Sequence, residues 1–98
     1  MRKLSVTPRA ASDLIGIWLY TSEEWGVDQA DNYLDQLDAG MKRRVNHPSL
    51  GANYAHVLPG YRRFQVEHHA VFHRVIEPEV LVVRVLHQDM DAPERLLD

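Results

Sequence analysis

The fold is decided by residues 61–86, YRRFQVEHHAVFHRVIEPEVLVVRVL, which contain three short strand patterns one after another. β-branched and aromatic residues dominate segments 61–66, 70–76 and 80–86, and polar turn residues separate them. The first turn contains Glu67 and the adjacent His68 and His69, which we expect to be solvated. The back half of the chain is therefore predicted to form an antiparallel meander.

Two helices are predicted before the meander, at about residues 8–25 and 28–46. Thr7 and Pro8 are typical of an N-cap followed by proline at the first helical position, and Gly26 ends the first helix. Asp28 is expected to cap the second helix. The two helices are joined by so few residues that they must pack as an antiparallel hairpin.

Residues 3–6 are predicted to form a first strand, and residues 47–60, with two prolines and two glycines, a connecting loop. The predicted order is β-α-α-β-β-β in a single α+β domain over residues 1–98, with the helical hairpin packed on a mainly antiparallel sheet. Its core is expected to combine apolar residues of the helices and of the three late strands, namely Leu14, Trp18, Leu34, Leu37, Phe64, Val66, Phe72, Ile76, Leu81, Val83 and Val85.

Composition restricts the class of protein. The chain has no cysteine, which excludes disulfides and thiolate chemistry, and no apolar run of the roughly 20 residues that a membrane helix needs. We therefore expect a cytoplasmic protein. The net charge is −3, but residues 39–87 carry seven bases and three acids. This local excess favours an anionic target or an acidic partner, and we expect no direct, sequence-specific DNA binding by the chain alone.

Arg62, Arg63, Arg74, Arg84 and His87 are the polar residues whose types suggest chemistry. Arginine binds phosphate bidentately and histidine transfers protons near neutral pH, so together they would suit RNA cleavage. The alternative is that they are the ordinary polar residues of a half-exposed sheet, and we expect no catalytic role. No cofactor is predicted, and no metal site, because the histidines lack acidic or thiol partners at a known ligand spacing.

Six residues are candidates for contact with a partner, namely Trp25, Arg62, Arg63, Arg74, Leu96 and Leu97. Trp25, beside Gly26, is expected to pack under the turn between the helices, and the alternative is that it lies open to a partner. Leu96 and Leu97 end the chain in a segment too short to fold alone, which favours docking onto the sheet or onto another protein.

Several sequence blocks, taken in order, are similar to one family. They are VTPRAASDL at 6–14, IW at 17–18, WG at 25–26, PSLG at 48–51, LPGYR at 58–62, VFHRV at 71–75 and VLHQDMD at 85–91. Together they resemble the ParE toxins of the RelE/ParE superfamily, found in type II toxin-antitoxin modules. His73 departs from the family pattern, which most often has tyrosine there.

The resemblance implies a helical hairpin against an antiparallel sheet and a toxin neutralised by a cognate antitoxin, expected to be ParD-like with a ribbon-helix-helix fold. ParE toxins inhibit DNA gyrase by protein contact, which is the function expected here. Two alternatives stay open. One is a ribosome-dependent mRNA endoribonuclease of RelE type using Arg62, Arg63, Arg74 and His87, and the other is a non-toxic module that only binds its antitoxin.

Overall fold

Two helices pack against a five-stranded sheet in the computed structural model, which describes residues 3–46 and 59–88 and, for residues 52–53, the backbone alone. The elements in chain order are β1 Lys3–Val6, α1 Pro8–Trp25, α2 Val27–Val45, β2 Ala52–Asn53, β3 Arg62–Val66, β4 His69–Ile76 and β5 Glu79–His87. The α+β class, the helical hairpin and the three late strands are confirmed. One expectation is wrong, because the short β2 lies within the predicted loop and pairs with β3. Two residues are too few to show a strand period.

The sheet is mixed, with the strand order β1-β5-β4-β3-β2. β1 runs parallel to β5, and the other three neighbouring pairs are antiparallel. A parallel pair requires a long connection between its strands, and the hairpin of α1 and α2 is part of the connection between β1 and β5. Neither described helix combines the length and the apolar character needed to span a membrane.

The helix ends follow from local chemistry. The Thr7 hydroxyl accepts a hydrogen bond from the Ala10 N–H at 3.1 Å and donates to the Val83 carbonyl at 2.9 Å, which fixes the start of α1 against β5. Gly26, at φ 93°, ends α1 and also caps α2, in a conformation that only glycine adopts readily. The prediction that Asp28 is the cap is wrong. Asp28 lies in the first turn of α2, where its negative charge interacts favourably with the positive end of the helix dipole.

The main core lies between the helices and the sheet. Leu37 and Phe64 are buried in it, and Leu14 and Leu34 pack against it, as predicted. The remaining buried members are small or β-branched residues and one methionine, namely Ala10, Met41, Val45, Val66, Val71, Val80, Val82 and Val85.

A β-bulge in β5 changes which residues face the helices. Phe72 pairs with Arg84 but His73 pairs with Val82, so Val83 is the extra residue. The prediction that Leu81, Val83 and Val85 share the core face is therefore wrong, because Val80 and Val82 alternate inward before the bulge and Val85 after it.

Phe72 is buried on the other side of the sheet from the main core. It forms a second cluster with Ala70, Leu86 and Tyr61, so the prediction that it packs under the helices is wrong. Its predicted partner Ile76 is 53% exposed.

Trp18 also differs from its predicted place in the core. It is only half-buried, and its indole N–H donates to the Asp31 carboxylate of α2 at 2.9 Å. A tryptophan at the side of a helix can bury its ring against the neighbouring helix and still satisfy this polar group. Trp18 therefore ties the two helices together instead of packing onto the sheet.

Candidate functional site

A groove of about 1030 Å³ lies between the tip of the helical hairpin and the end of the sheet. The part of α1 from Ser12 onward and the first half of α2 form one side, and the β3–β4 turn and the end of β5 form the other. Trp25 and Tyr20 lie on its helical side and are 73% and 65% exposed. The expectation that Trp25 packs under the turn is therefore wrong. A large exposed ring beside a groove is typical of a surface that binds a partner.

One wall of the groove is fixed by an ion pair between α1 and β5. The Arg84 guanidinium donates to both carboxylate oxygens of Asp13, at 2.8 and 3.0 Å, and the Val85 N–H donates to Asp13 Oδ2 at 3.0 Å. Both charged side chains are largely buried. The bidentate pair meets β5 immediately after the bulge, so it holds α1 at a defined position over that strand.

The opposite end of the groove contains a hydrogen-bonded group of Tyr33, His68 and His69. The His68 backbone N–H donates to the Tyr33 hydroxyl oxygen at 3.1 Å, and the same hydroxyl lies 2.7 Å from His69 Nδ1. A hydroxyl group can accept one hydrogen bond and donate another, so Tyr33 can link the His68 backbone to the His69 ring.

Burial and neighbouring rings keep Tyr33 and His69 uncharged. Burial, with smaller contributions from His87 and His68, lowers the pKa of His69 to about 4. The His87 ring meets the His69 ring edge-on at 5.5 Å. Burial also raises the pKa of Tyr33. The Tyr33–His69 pair is thus neutral at ordinary pH and lies beside the exposed Glu67.

The structure separates the residues that the sequence suggested as a site. Trp25 and His87 both line the groove. Arg62 and Arg74 lie toward the opposite end of the sheet, and Arg63 lies level with the groove-lining Arg84 but on the other face. Leu96 and Leu97 lie outside the described residues.

The three arginines do not share a face of the sheet. Arg62 lies two residues before Phe64 on β3 and therefore on the same face, which is the helix side of the sheet. Arg63 and Arg74 lie over the other face. The Arg63 guanidinium lies 5.9 Å from the Phe72 ring, and that of Arg74 lies 5.9 Å from the Tyr61 ring.

His87 is distant from all three. It pairs with His69, whereas Arg62 pairs with His73. Those two partners are four residues apart on β4, which is about 13 Å along the strand. In this arrangement the histidine and the arginines do not surround a single phosphate.

Sequence reasoning missed the residues that give the groove its shape and chemistry. Asp13 was one of many acids, and only its position on the inner side of α1 indicated a buried partner. Tyr33 belonged to an apolar stripe and showed no sign of a polar role. The expectation that both turn histidines are solvated is wrong for His69, which begins β4 and is buried. The turn contains only Glu67 and His68, one residue fewer than predicted.

Comparison with known proteins gives a consistent picture. A family model described as the ParE toxin of the type II toxin-antitoxin system parDE matches residues 4–92. Toxin ParE1 of Caulobacter vibrioides is 38% identical over 96 residues, covering 98% of this chain and 99% of that toxin. Toxin ParE1 of Mycobacterium tuberculosis H37Rv is 40% identical over 92 residues, covering 93% of this chain and 94% of the other.

The fold has a close counterpart among solved structures. A chain in the structure of the chromosomal ParDE TA system from P. aeruginosa superposes with a TM-score of 0.78 at 24% identity, covering 89% of this chain and 96% of that chain. This likeness supports the arrangement of helices and sheet, and the family model and the sequence relatives extend over nearly the whole chain. The chain therefore belongs to the ParE toxin family of type II toxin-antitoxin systems.

Proposed function

We propose that this toxin arrests growth by binding DNA gyrase and that a ParD-like antitoxin neutralises it by folding a segment into the groove beside Trp25. Both steps take place in the cytoplasm, and the chain acts as a single toxin domain. The groove itself is the main support for antitoxin binding at this place, because it combines an open apolar side with exposed aromatic rings.

The groove has the dimensions of a helix-binding site. Two turns of a helix about 10 Å across occupy roughly 850 Å³, which is close to the volume available. A disordered antitoxin segment that folds there would cover Trp25 and Tyr20, and the burial of such rings compensates for the entropy lost on ordering. The neutral Tyr33–His69 pair would hydrogen-bond to the segment without demanding a charged partner.

Inhibition by contact is favoured over RNA cleavage by the distribution of the candidate residues. Phosphoryl transfer requires cations and a proton donor or acceptor held around one phosphate. Here His87 lines the groove, whereas Arg62 and Arg74 lie toward the other end of the sheet and Arg63 lies on the face away from the helices. Gyrase inhibition needs no such assembly, because a surface contact is sufficient.

The antitoxin site is tested by filling the groove from α1. Gly16 lines the groove, and a Cβ placed on it meets no atom within 4 Å, so Gly16→Phe introduces a ring into open space. Ile15→Phe is the matched control, because Ile15 is 63% exposed and lies outside the lining. The product of the neighbouring reading frame should bind the control as tightly as wild type and Gly16→Phe far more weakly. Equal binding to both variants would place the antitoxin elsewhere.

The target is tested in cells. Expression of wild type without antitoxin should arrest growth and induce the DNA-damage response, and His87→Ala should do the same. Trp25→Ala should weaken antitoxin binding by at least about 30-fold if the ring is an anchor worth about 2 kcal/mol. Ribosome-bound mRNA cut at defined codons, with cleavage lost in His87→Ala, would instead establish the endoribonuclease alternative. Normal growth on expression of the free chain would favour the non-toxic module.

A further inference from the structure

Glu67 brings into the groove a negative charge that no described neighbour neutralises. It is the first residue of the turn between β3 and β4, and it lines the groove together with Tyr33 and His69. The lining also contains Asp13 and Arg84, but these two charged groups bind each other bidentately. Among the lining residues that the structure describes, Glu67 is therefore the acid whose charge remains without a partner.

The hydrogen bond described for Glu67 leaves its carboxylate unused. Its backbone carbonyl accepts from the Gln65 side-chain amide at 3.1 Å, and no ion pair within residues 3–46 and 59–88 includes its side chain. Glu67 is exposed, so water solvates the charge while the groove is open. A segment that fills the groove displaces this water, and a carboxylate that loses water without gaining a partner weakens binding.

The backbone at Glu67 is a second, independent observation. Val66 pairs with His69, so Glu67 is the first of the two central residues of the hairpin turn. Its φ is 52°, and it is the one non-glycine residue with a positive φ in the part of the chain that the structure describes. This turn position favours glycine, because other L-residues are sterically hindered there. Residues in such conformations cluster at sites that bind ligands, which indicates a use for this side chain.

The Glu67 charge acts on the hydrogen-bonded end of the groove. Burial raises the pKa of Tyr33, and the negative charge of Glu67 raises that pKa further. The carboxylate thus lies within electrostatic reach of the Tyr33 hydroxyl. A partner group placed over the neutral Tyr33–His69 pair would meet this negative charge.

We propose that the antitoxin segment in the groove carries a positively charged side chain that forms an ion pair with Glu67. This inference rests on the proposed function, because it takes the antitoxin as the occupant of the groove. It adds the chemistry of the segment and the way it lies. Apolar residues of the segment cover Trp25 and Tyr20 on the helical side, and the basic residue lies across the groove at the turn between β3 and β4.

The surroundings of Glu67 favour arginine as the basic residue. A guanidinium binds a carboxylate bidentately and also lies well against an aromatic ring. The neutral rings of Tyr33 and His69 offer such a surface and do not repel a cation. An acidic segment, which the excess of bases over residues 39–87 would favour, meets a like charge at Glu67 and does not suit the groove.

The test is the affinity of purified toxin variants for the product of the neighbouring reading frame, measured by isothermal titration calorimetry at low and high salt. Glu67→Gln removes the charge, nearly preserves the size of the side chain and should weaken binding about tenfold. Glu67→Lys places two like charges together and should weaken binding about a hundredfold. Added salt should weaken the binding of wild type more than that of Glu67→Gln, because salt screens the ion pair.

Asp35→Asn is the matched control. Asp35 is exposed on α2 and lies outside the lining of the groove, so its replacement changes the net charge by the same amount without touching the site. This variant should bind the antitoxin as tightly as wild type. All variants should melt at the temperature of wild type, since an exposed charge contributes little to stability.

The inference is supported if Glu67→Gln loses affinity and Asp35→Asn does not. It is overturned if Glu67→Gln binds as tightly as wild type while Gly16→Phe loses affinity, because the antitoxin then occupies the groove without a cation at Glu67. Equal losses in Glu67→Gln and Asp35→Asn also overturn it, since net charge then explains the effect. Undiminished binding by Gly16→Phe removes the groove as the antitoxin site, and the ion pair is refuted along with it.

Discussion

Removal of the Asp13 charge should lower the stability of the domain by weakening the attachment of α1 to the sheet. Asp13→Asn leaves the largely buried guanidinium of Arg84 without a counter-charge and weakens the bond to the Val85 N–H. Breaking a buried pair from one side costs about 3–5 kcal/mol, and the small exposure of both groups places this case near about 3 kcal/mol. A domain of this size has about 5–15 kcal/mol in total, so its melting temperature should fall by about 15 °C.

The assay is thermal unfolding followed by circular dichroism at neutral pH. Asp38→Ala is the control, because it removes the exposed partner of Lys42 and should melt with wild type. Replacing Asp13 with leucine and Arg84 with methionine together should restore most of the loss, since no buried charge then lacks a partner. If Asp13→Asn melts at the wild-type temperature, the ion pair does not hold α1 and the reasoning is wrong.

Three further predictions concern stability. Gly40→Ala should cost about 1–3 kcal/mol because its Cβ would lie 2.5 Å from Val66 Cγ1, whereas Gly16→Ala should gain up to about 1 kcal/mol; denaturant titration compares them. The contribution of His69 to the free energy of unfolding should be constant above pH 6.5 and fall by about 2 kcal/mol between pH 6.5 and 4, because His69 binds a proton in the unfolded chain but stays neutral in the folded one. His69→Phe should remove this part of the pH dependence, and an unchanged profile contradicts the assignment. Phe72→Ala should cost about 3–5 kcal/mol although Phe72 faces away from the helices, and a wild-type melting curve would refute that burial.

The sequence was most informative where a single residue type has one structural use. Thr7 and Pro8 located the start of α1, and Gly26 located the turn between the helices. The strand limits also agree with prediction within one residue, because β-branched runs were interrupted by turn residues. The fold class followed from these local signals and from the short connection between the helices.

The faces of the strands could not be predicted in the same way. β5 is apolar at nearly every position, so its sequence gives no alternation from which to detect the bulge at Val83. In β4, the buried His73 occupies the helix side while Phe72 lies on the other, which reverses the arrangement expected from hydrophobicity. Only the pairing register resolves such cases.

The groove is a property of the assembled elements. Its walls come from helix and strand segments far apart in sequence, and its hydrogen-bonded end depends on the contact between Tyr33 and His69, which are 36 positions apart. The exposed state of Trp25 likewise depends on where the hairpin tip lies relative to the sheet. These contacts follow from packing geometry and leave no periodic signal in the sequence.

A gyrase supercoiling assay with purified components gives the sharpest test of whether this toxin acts on gyrase by contact and is neutralised through the groove. We expect the free chain to block supercoiling of relaxed plasmid and the antitoxin to restore it. We also expect the antitoxin to fail to restore supercoiling that is blocked by Gly16→Phe. Undiminished supercoiling at saturating toxin, with ribosome-bound mRNA cut by the same preparation, would contradict inhibition of gyrase.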